Sequence, residues 1–447
     1  MDIETLTIVQ ANRLLKTKSI SATELINSFL ERNRLIEPEI KAWAYLQSAE
    51  LLIKIAQKID DNQKSIVSPL AAIPYGAKDI IYTNKIPTEA GSKTMKGFIP
   101  QTDATIISKL KEFNAILIGK TTTAEFASGG GAPVTRNPWN KAHTPGGSST
   151  GSAAAISSGM SLFSIGTQTA GSIIRPAAYN GVTALKPSYG SISKAGIIPA
   201  SWSVDTVGIF TKNVEDLTLV YNELNGKDKK DYTTWLHTKQ YLSVNEKKTY
   251  TIGVIRDNFF ETTNEIMSAF SQAMKVLEKL GHSCVECHMP ANMEQANDAH
   301  GLIVDAETAS YHRKTFEIQK NLMSEELKKD IESGLIYSAD EYLNAQNVRW
   351  DYQQQLFSLL NEFDILITPA TPETAPKGRT KTGSPKFNKP FSNAGVPVLT
   401  IPIGYSTVTE LPIGIQFVAN IASEQKLINI GLAFQEATDY HQKRPKI

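Results

Sequence analysis

Pro145-Gly-Gly-Ser-Ser-Thr-Gly-Ser152, followed by Ala153-Ala-Ala-Ile156 and then by Gly166-Thr-Gln-Thr-Ala-Gly-Ser172-Ile-Ile-Arg-Pro176, is unlike the rest of this 447-residue chain. From Thr144 to Ile174 there is no Asp, Glu, Lys or Arg, and 18 of the 29 residues from Thr144 to Ser172 are Gly, Ser or Ala. That composition has two readings. One is a flexible Gly/Ser linker, but a linker does not carry Ala153 to Ile156 or Leu162-Phe163, which suit a helix or a buried strand. The other is closely packed interior backbone, where small side chains let main-chain N–H groups approach a ligand. The apolar residues support the second.

Outward from the window, helix and strand signals interleave. Residues 1–65 read as helical: Ser21-Ala-Thr-Glu24 is a capping box ahead of Leu25, Phe29 and Leu35, and a second helix runs through Ala49 to Ile59. Ala72-Ile-Pro-Tyr75 leads into the small-residue turn Gly76-Ala-Lys78-Asp79, and Ala115 to Ile118 reads as a buried strand. Gly226 to Lys248 is a polar, Lys-rich connection. Beyond it come strands at Thr251 to Ile255, Asp364 to Thr368, Val396 to Ile403 and Ile413 to Val418. Helices are expected at Glu265 to Leu280, Ala306 to Phe316, Ala339 to Leu360 and Glu424 to Glu436. The loop Pro376 to Pro390 holds five basic residues and no acid; it is read as solvated, with guidance of an anionic substrate as the sharper alternative. The alternation predicts the α/β class, with a large, mixed but mainly parallel central sheet flanked by helices on both faces. We read 1–447 as a single domain: an N-terminal helical segment (1–65), a core (66–225), the polar connection (226–248) and the second half of the core (249–447).

Composition narrows the function. Forty-six Lys plus Arg against 45 Asp plus Glu give a net charge of +1, so no global footprint for nucleic acid exists. Two cysteines exclude a disulfide scaffold and suit a reducing compartment. Met1 to Gln10 has no apolar core of a signal peptide, and no stretch approaches the roughly 18 apolar residues of a membrane span. A cytoplasmic protein is expected, without direct nucleic-acid or membrane contact.

Several short patterns fail on context. Cys284-Val-Glu-Cys287-His288 has the spacing of covalent haem attachment, but it follows a helix and reads as a strand with two structural cysteines. Gly147-Ser-Ser149-Thr-Gly151 fits a nucleophile elbow, yet that motif needs a strand before it, and Asn137 to Pro145 cannot be a central strand. No Gly-Lys-Ser/Thr follows the glycines, so a phosphate-binding P-loop fails as well. The seven histidines show no metal-ligand spacing. Neither a cofactor nor a metal is expected. What survives is Lys78, Ser148 and Ser172, separated by 70 and 24 residues.

These residues and their surroundings resemble the amidase-signature family, which includes bacterial amidases and the glutaminase subunit of the tRNA amidotransferase. The likeness covers nearly the whole chain. It takes in Pro74-Tyr-Gly-Ala-Lys-Asp79, Gly119-Lys-Thr-Thr-Thr-Ala-Glu125-Phe126, the Gly/Ser window, Leu185-Lys-Pro-Ser-Tyr-Gly190, Asn393-Ala-Gly-Val-Pro397 and Leu411-Pro-Ile-Gly-Ile-Gln416. The resemblance implies the amidase-signature fold and a linear-amide hydrolase with Ser172 as nucleophile. Ser148, after a cis peptide bond to Gly147, would be the relay, and Lys78 the base. The amides of Thr169, Ala170, Gly171 and Ser172 would form the oxyanion hole. The chemistry is coherent, since a serine needs a base and a buried lysine becomes one when its pKa falls. The partner implied is a small-molecule amide, with a homodimer as the oligomer to test.

The chain departs from the family pattern at three places. Thr150 stands where glycine is usual. The family commonly reads Asp, Thr, Gly, Gly, Ser, Ile, Arg, whereas here Gln168, Ala170 and Ile174 replace the Asp, the first Gly and the Arg, with Arg175 one position later. The paired loss of Asp and Arg suggests a neutral arrangement in place of an internal ion pair, with activity retained. Near Leu327-Lys-Lys-Asp-Ile-Glu-Ser-Gly334, the glutaminase subunits carry two arginines that help hold the glutamine carboxylate; this chain has Lys329 and Asp330. The main expectation is therefore an amidase. The alternatives are the ammonia-supplying (glutaminase) component of a tRNA-dependent amidotransferase and a catalytically silent binding protein. Ser128 to Gly131, Val304 to His312 and Thr371 to Phe391 are the expected substrate-lining segments.

Overall fold

The computed structural model describes residues 3–62, 67–128, 134–244 and 247–447. Among them, eleven strands form one sheet: β1 (Trp43–Leu46), β2 (Pro74–Lys78), β3 (Ile116–Thr121), β4 (Phe163–Gln168), β5 (Thr183–Lys186), β6 (Thr206–Thr211), β7 (Thr251–Ile255), β8 (Ser283–Cys287), β9 (Ile365–Pro369), β10 (Val398–Tyr405) and β11 (Pro412–Val418). Their order is β1-β3-β2-β4-β6-β5-β10-β11-β9-β7-β8. The helices are α1 (Ile8–Lys16), α2 (Ala22–Ile40), α3 (Ala49–Asp61), α4 (Thr105–Glu112), α5 (Thr150–Ser157), α6 (Ile174–Asn180), α7 (Val214–Leu224), α8 (Asn264–Lys279), α9 (Met293–Gln319), α10 (Glu325–Ile336), α11 (Ala339–Glu362), α12 (Lys389–Ala394) and α13 (Glu424–Ala437).

The central strands are buried along their length, Tyr405 at the end of β10 excepted, and successive residues enter different cores. On β9, Ile365 and Ile367 pack into the larger cluster with residues of α2, α7, α8 and α13, while Leu366 packs into the second with residues of α5, α6 and α11. Ile209 and Phe210 on β6, and Leu399 and Val398 on β10, divide the same way. Helices therefore cover both faces, as expected. Helix starts are local: Thr7, Ser21, Ser48, Asn213, Thr263, Ser324 and Ser338 each cap a helix through a side-chain oxygen.

The expected predominance of parallel pairing is corrected. Six of the ten strand pairings among the described residues are antiparallel, and four are parallel. A parallel neighbour needs a crossover, usually a helix, as α4 provides between β2 and β3 and α8 between β7 and β8. No helix separates β5 from β6 or β10 from β11, and those pairs run antiparallel. The helical reading of 1–65 also misses β1, a four-residue edge strand too short to show a period.

The two halves meet inside the sheet. Val398, Leu399 and Thr400 of β10 pair with Lys186, Leu185 and Ala184 of β5. The connection 226–248, whose residues 245–246 lie outside those described, runs between them without contributing a strand of this sheet.

Candidate active site

Lys78 ends β2, a strand buried at all five positions beside β4. Its ammonium nitrogen is fully buried and donates to Ser148 Oγ at 2.7 Å and to Thr167 Oγ1 at 2.9 Å. Burial brings its pKa down to about 7, partly opposed by the charge of Asp205. Asp79 is not its partner. That carboxylate lies 3.3 Å from Lys120 Nζ, a second buried ammonium that also donates to Ile81 O and Thr88 Oγ1. Lys78 is thus left to the two hydroxyls.

Ser148 follows a cis peptide bond from Gly147. The Gly147 carbonyl accepts from Arg175 Nε and Nη2 at 3.2 and 2.6 Å, and Arg175 Nη1 reaches the Gly383 carbonyl at 2.7 Å. Next along, Ser149 Oγ donates to Thr167 O at 3.0 Å and accepts from Thr167 N at 3.2 Å. A buried serine occupied in this way, with no strand before it, is not a nucleophile elbow. Small residues here serve close packing: a Cβ on Gly151 would sit 2.1 Å from the Ala42 carbonyl.

Ser172 lies in the turn between β4 and α6 and lines a cavity of about 300 Å³. The amides of residues 169–172 donate to no protein acceptor among the described residues, so they stay available to a ligand oxygen. The turn is held from outside. Gln168 Oε1 accepts from the amides of Ile173 and Ile174 at 2.7 and 3.0 Å, while Gln168 Nε2 donates to Ser392 Oγ at 2.8 Å. Ser392 Oγ in turn donates to the Ala170 carbonyl at 2.6 Å. Thr169 Oγ1 donates to Asp205 Oδ1 at 2.6 Å, and Asp205 Oδ2 accepts from the amides of Ala200 and Ser201. Ala170 does not adopt a positive φ, so the turn does not need glycine there.

Lys78, Ser148 and Ser172 are therefore brought to one place, although their links differ. Lys78 and Ser148 are in hydrogen-bond contact, whereas the Ser148 and Ser172 hydroxyls share no hydrogen bond; their backbones are joined by Ser149 N donating to Ser172 O at 3.3 Å. Ser128, Val304, Asp305, Thr308, Thr382 and Gly383 line the cavity, in all three segments expected to do so. Gly129, Gly130 and Gly131 of the first segment lie outside the described residues. The basic loop is only partly solvated, because Gly383, Pro385 and Lys389 face the cavity.

A model of the family described as Amidase matches residues 24–428. The chain belongs to the amidase-signature family. It is 32% identical to a glutamyl-tRNA(Gln) amidotransferase subunit from Sulfurihydrogenibium sp. across 100% of both chains. Among amidase-signature structures, it is similar to the peptide amidase PAM in complex with the competitive inhibitor chymostatin, at 25% identity and TM-score 0.85, covering 99% of this chain and 99% of that one. The corresponding glutamyl-tRNA(Gln) amidotransferase subunit from Thermotoga maritima is also similar, at 26% identity and TM-score 0.83, covering 100% and 98%.

At the positions where an internal ion pair was expected to be exchanged for neutral residues, Gln168 accepts from the backbone amides at the start of α6 and makes no ion pair. Of the pair Lys329 and Asp330, only Asp330 faces the cavity, and Lys329 is exposed. Sequence reasoning missed Thr167, Asp205 and Ser392. Thr167 could have been found, since it lies on the strand leading into the Ser172 turn. Asp205 and Ser392 come from distant segments and carry no local signal. Among the described residues no helix is long and apolar enough to cross a membrane, and no group of His, Cys, Asp or Glu could hold a metal ion. Cys284 and Cys287 are free and stand on β8.

Proposed function

We propose that this protein hydrolyses a carboxamide through an acyl-enzyme on Ser172, with Ser148 as relay and Lys78 as base. The observation that carries the reading is the 2.7 Å contact between the buried Lys78 Nζ and Ser148 Oγ, beside a serine whose turn presents uncommitted amides. Ser172 gives its proton to Ser148 as Ser148 passes its own to neutral Lys78, and Ser172 Oγ bonds to the amide carbon. Rotation about the Ser172 side chain closes the last link, as catalytic contacts often tighten only with substrate bound. The oxyanion rests on the amides of residues 169–172. The proton on Lys78 returns through Ser148 to the leaving nitrogen, the C–N bond breaks, and water then cleaves the ester.

Within that chemistry, the comparisons favour the ammonia-supplying component of an amidotransferase over a free-standing amidase. The curated relatives that align end to end are named as subunits of glutamyl-tRNA(Gln) amidotransferase. The replacement of the two arginines by Lys329 and Asp330 weighs the other way.

Labelling with a serine-reactive fluorophosphonate and peptide mapping test the shared chemistry. An adduct on Ser172 that disappears in Lys78→Ala supports it; no adduct on folded protein shifts the reading to a silent binding protein. Affinity purification from the native host then separates the two enzymatic readings: a component of a complex brings partner proteins and releases ammonia from glutamine weakly when alone.

A further inference from the structure

Two buried carboxylates outside the proton path, Asp205 and Glu307, grip one short segment of chain. Residues 199–205 lead into β6 and place Ala200 on the cavity that holds Ser172. On their other side, Pro199, Trp202 and Asp205 line a second cavity, of about 230 Å³. A partition with space on both sides lacks packing partners there, so polar contacts must fix its position. At one end, Asp205 Oδ2 accepts from the amides of Ala200 and Ser201 at 2.8 and 2.9 Å. Its Oδ1 accepts from Thr169 Oγ1 at 2.6 Å, so the partition and the turn of Ser172 share one carboxylate.

Glu307 holds the other end from α9. Its side chain is 1% exposed and does not line the substrate cavity. It accepts from Ser201 Oγ at 2.5 Å, from Ser203 N at 3.0 Å and from Ser203 Oγ. It also accepts from Tyr342 OH of α11 at 2.7 Å. Three of these four donors belong to the partition, and hydrogen bonds to an ionised acceptor are the strong kind. Thr308, next along α9, lines the substrate cavity and donates to the Ala200 carbonyl at 3.0 Å. Lys194 Nζ and Arg349 Nη2 reach the carbonyls of Trp202 and Ser203 at 2.8 and 3.0 Å. Loss of Glu307 would therefore loosen the partition without releasing it.

We propose that Glu307 is a positioning residue for the oxyanion hole: it fixes residues 201–203, these fix Asp205, and Asp205 sets the Thr169 amide. The inference rests on the reading of Ser172 as nucleophile. A fluorophosphonate tests it, because Ser172 Oγ bonds to phosphorus, fluoride leaves, the serine proton passes toward Lys78 and the phosphoryl oxygen occupies the hole. Labelling rates against reagent concentration give a maximal rate and a half-saturating concentration. Glu307→Gln should lower the maximal rate about tenfold and leave half-saturation in place, because the hole acts on the transition state. Ser201→Ala removes a donor on the partition side and should also slow labelling. Tyr342→Phe removes the donor on the α11 side and should leave the rate within about twofold. Thr169→Val cuts the link to Asp205 and should itself slow labelling about tenfold. Added to it, Glu307→Gln should cost less than about twofold more, whereas independent effects would multiply to on the order of 100-fold. An unchanged maximal rate in Glu307→Gln, an equal loss in Tyr342→Phe or multiplying effects would overturn the proposal. Ser201→Ala carries the same cycle where Glu307→Gln folds poorly. Absence of labelling on the unmodified, folded protein rejects the nucleophile reading, whereas labelling that ignores Glu307 rejects this inference alone.

Discussion

At Lys78, the burial that suits it to the proposed role of base also sets a pH response. The nitrogen accepts a proton only when neutral, so kcat/KM should rise with pH through about 7, the value to which burial brings its pKa. A profile flat from pH 6 to 8.5 would contradict the assignment. The linked stability effect has a definite sign: the folded pKa lies below the unfolded 10.5, so the unfolded chain binds more protons between about 7 and 10.5 and stability rises with pH across that window. Lys78→Met should lower turnover by on the order of 10³-fold or more while flattening that part of the stability profile. Gln168 offers a second single-residue test. Gln168→Ala leaves the buried amides of Ile173 and Ile174 without their acceptor, which costs about 1–3 kcal/mol for each unpaired group. Denaturant titration should show the loss, and kcat should fall with it because the same turn carries Ser172. At this scale the sequence was most legible where chemistry is local. Lys78, Ser148 and Ser172 stand in distinctive surroundings, whereas Asp205 and Ser392 look like ordinary polar residues until the chain folds them against Thr169 and Ala170.

Helices α9 and α10 illustrate how an element's neighbours decide the meaning of one residue type. Gly301 has open space where a Cβ would go, whereas on Gly334 a Cβ would strike the Asp305 carbonyl at 2.0 Å. Gly301→Ala should therefore stabilise by up to about 1 kcal/mol through helix propensity. Gly334→Ala should destabilise despite the same propensity gain, because backbone rather than a flexible side chain must move. Equilibrium denaturation of the two variants decides the matter, and equal shifts would mean that α10 does not pack on α9 as described. Long periodic elements such as α8, α11 and α13 could be read from their apolar spacing to within a few residues. β1 and α6 could not, since four and seven residues hold too few turns of either period.

Across the whole molecule, pairing direction was the least legible property, because hydrophobic runs identify buried strands without saying which neighbour each will find. The β5–β10 pairing joins the chain's two halves inside one sheet. Cleavage at the exposed Lys229-Lys230 should therefore give two fragments that elute together in gel filtration and unfold in a single transition. Separate elution would show that the connection, rather than the sheet, holds the halves. The same seam has a consequence in time. Lys186 and its partner Val398 are 212 residues apart, so at roughly 5–20 residues/s the edge of β5 emerges from the ribosome on the order of 10–40 s before the strand that covers it. For that interval the nascent first half carries an open sheet edge, the form in which strands recruit wrong neighbours. Production of this protein should thus respond to slower elongation, or to a chaperone that shields β5, more than its finished stability would suggest.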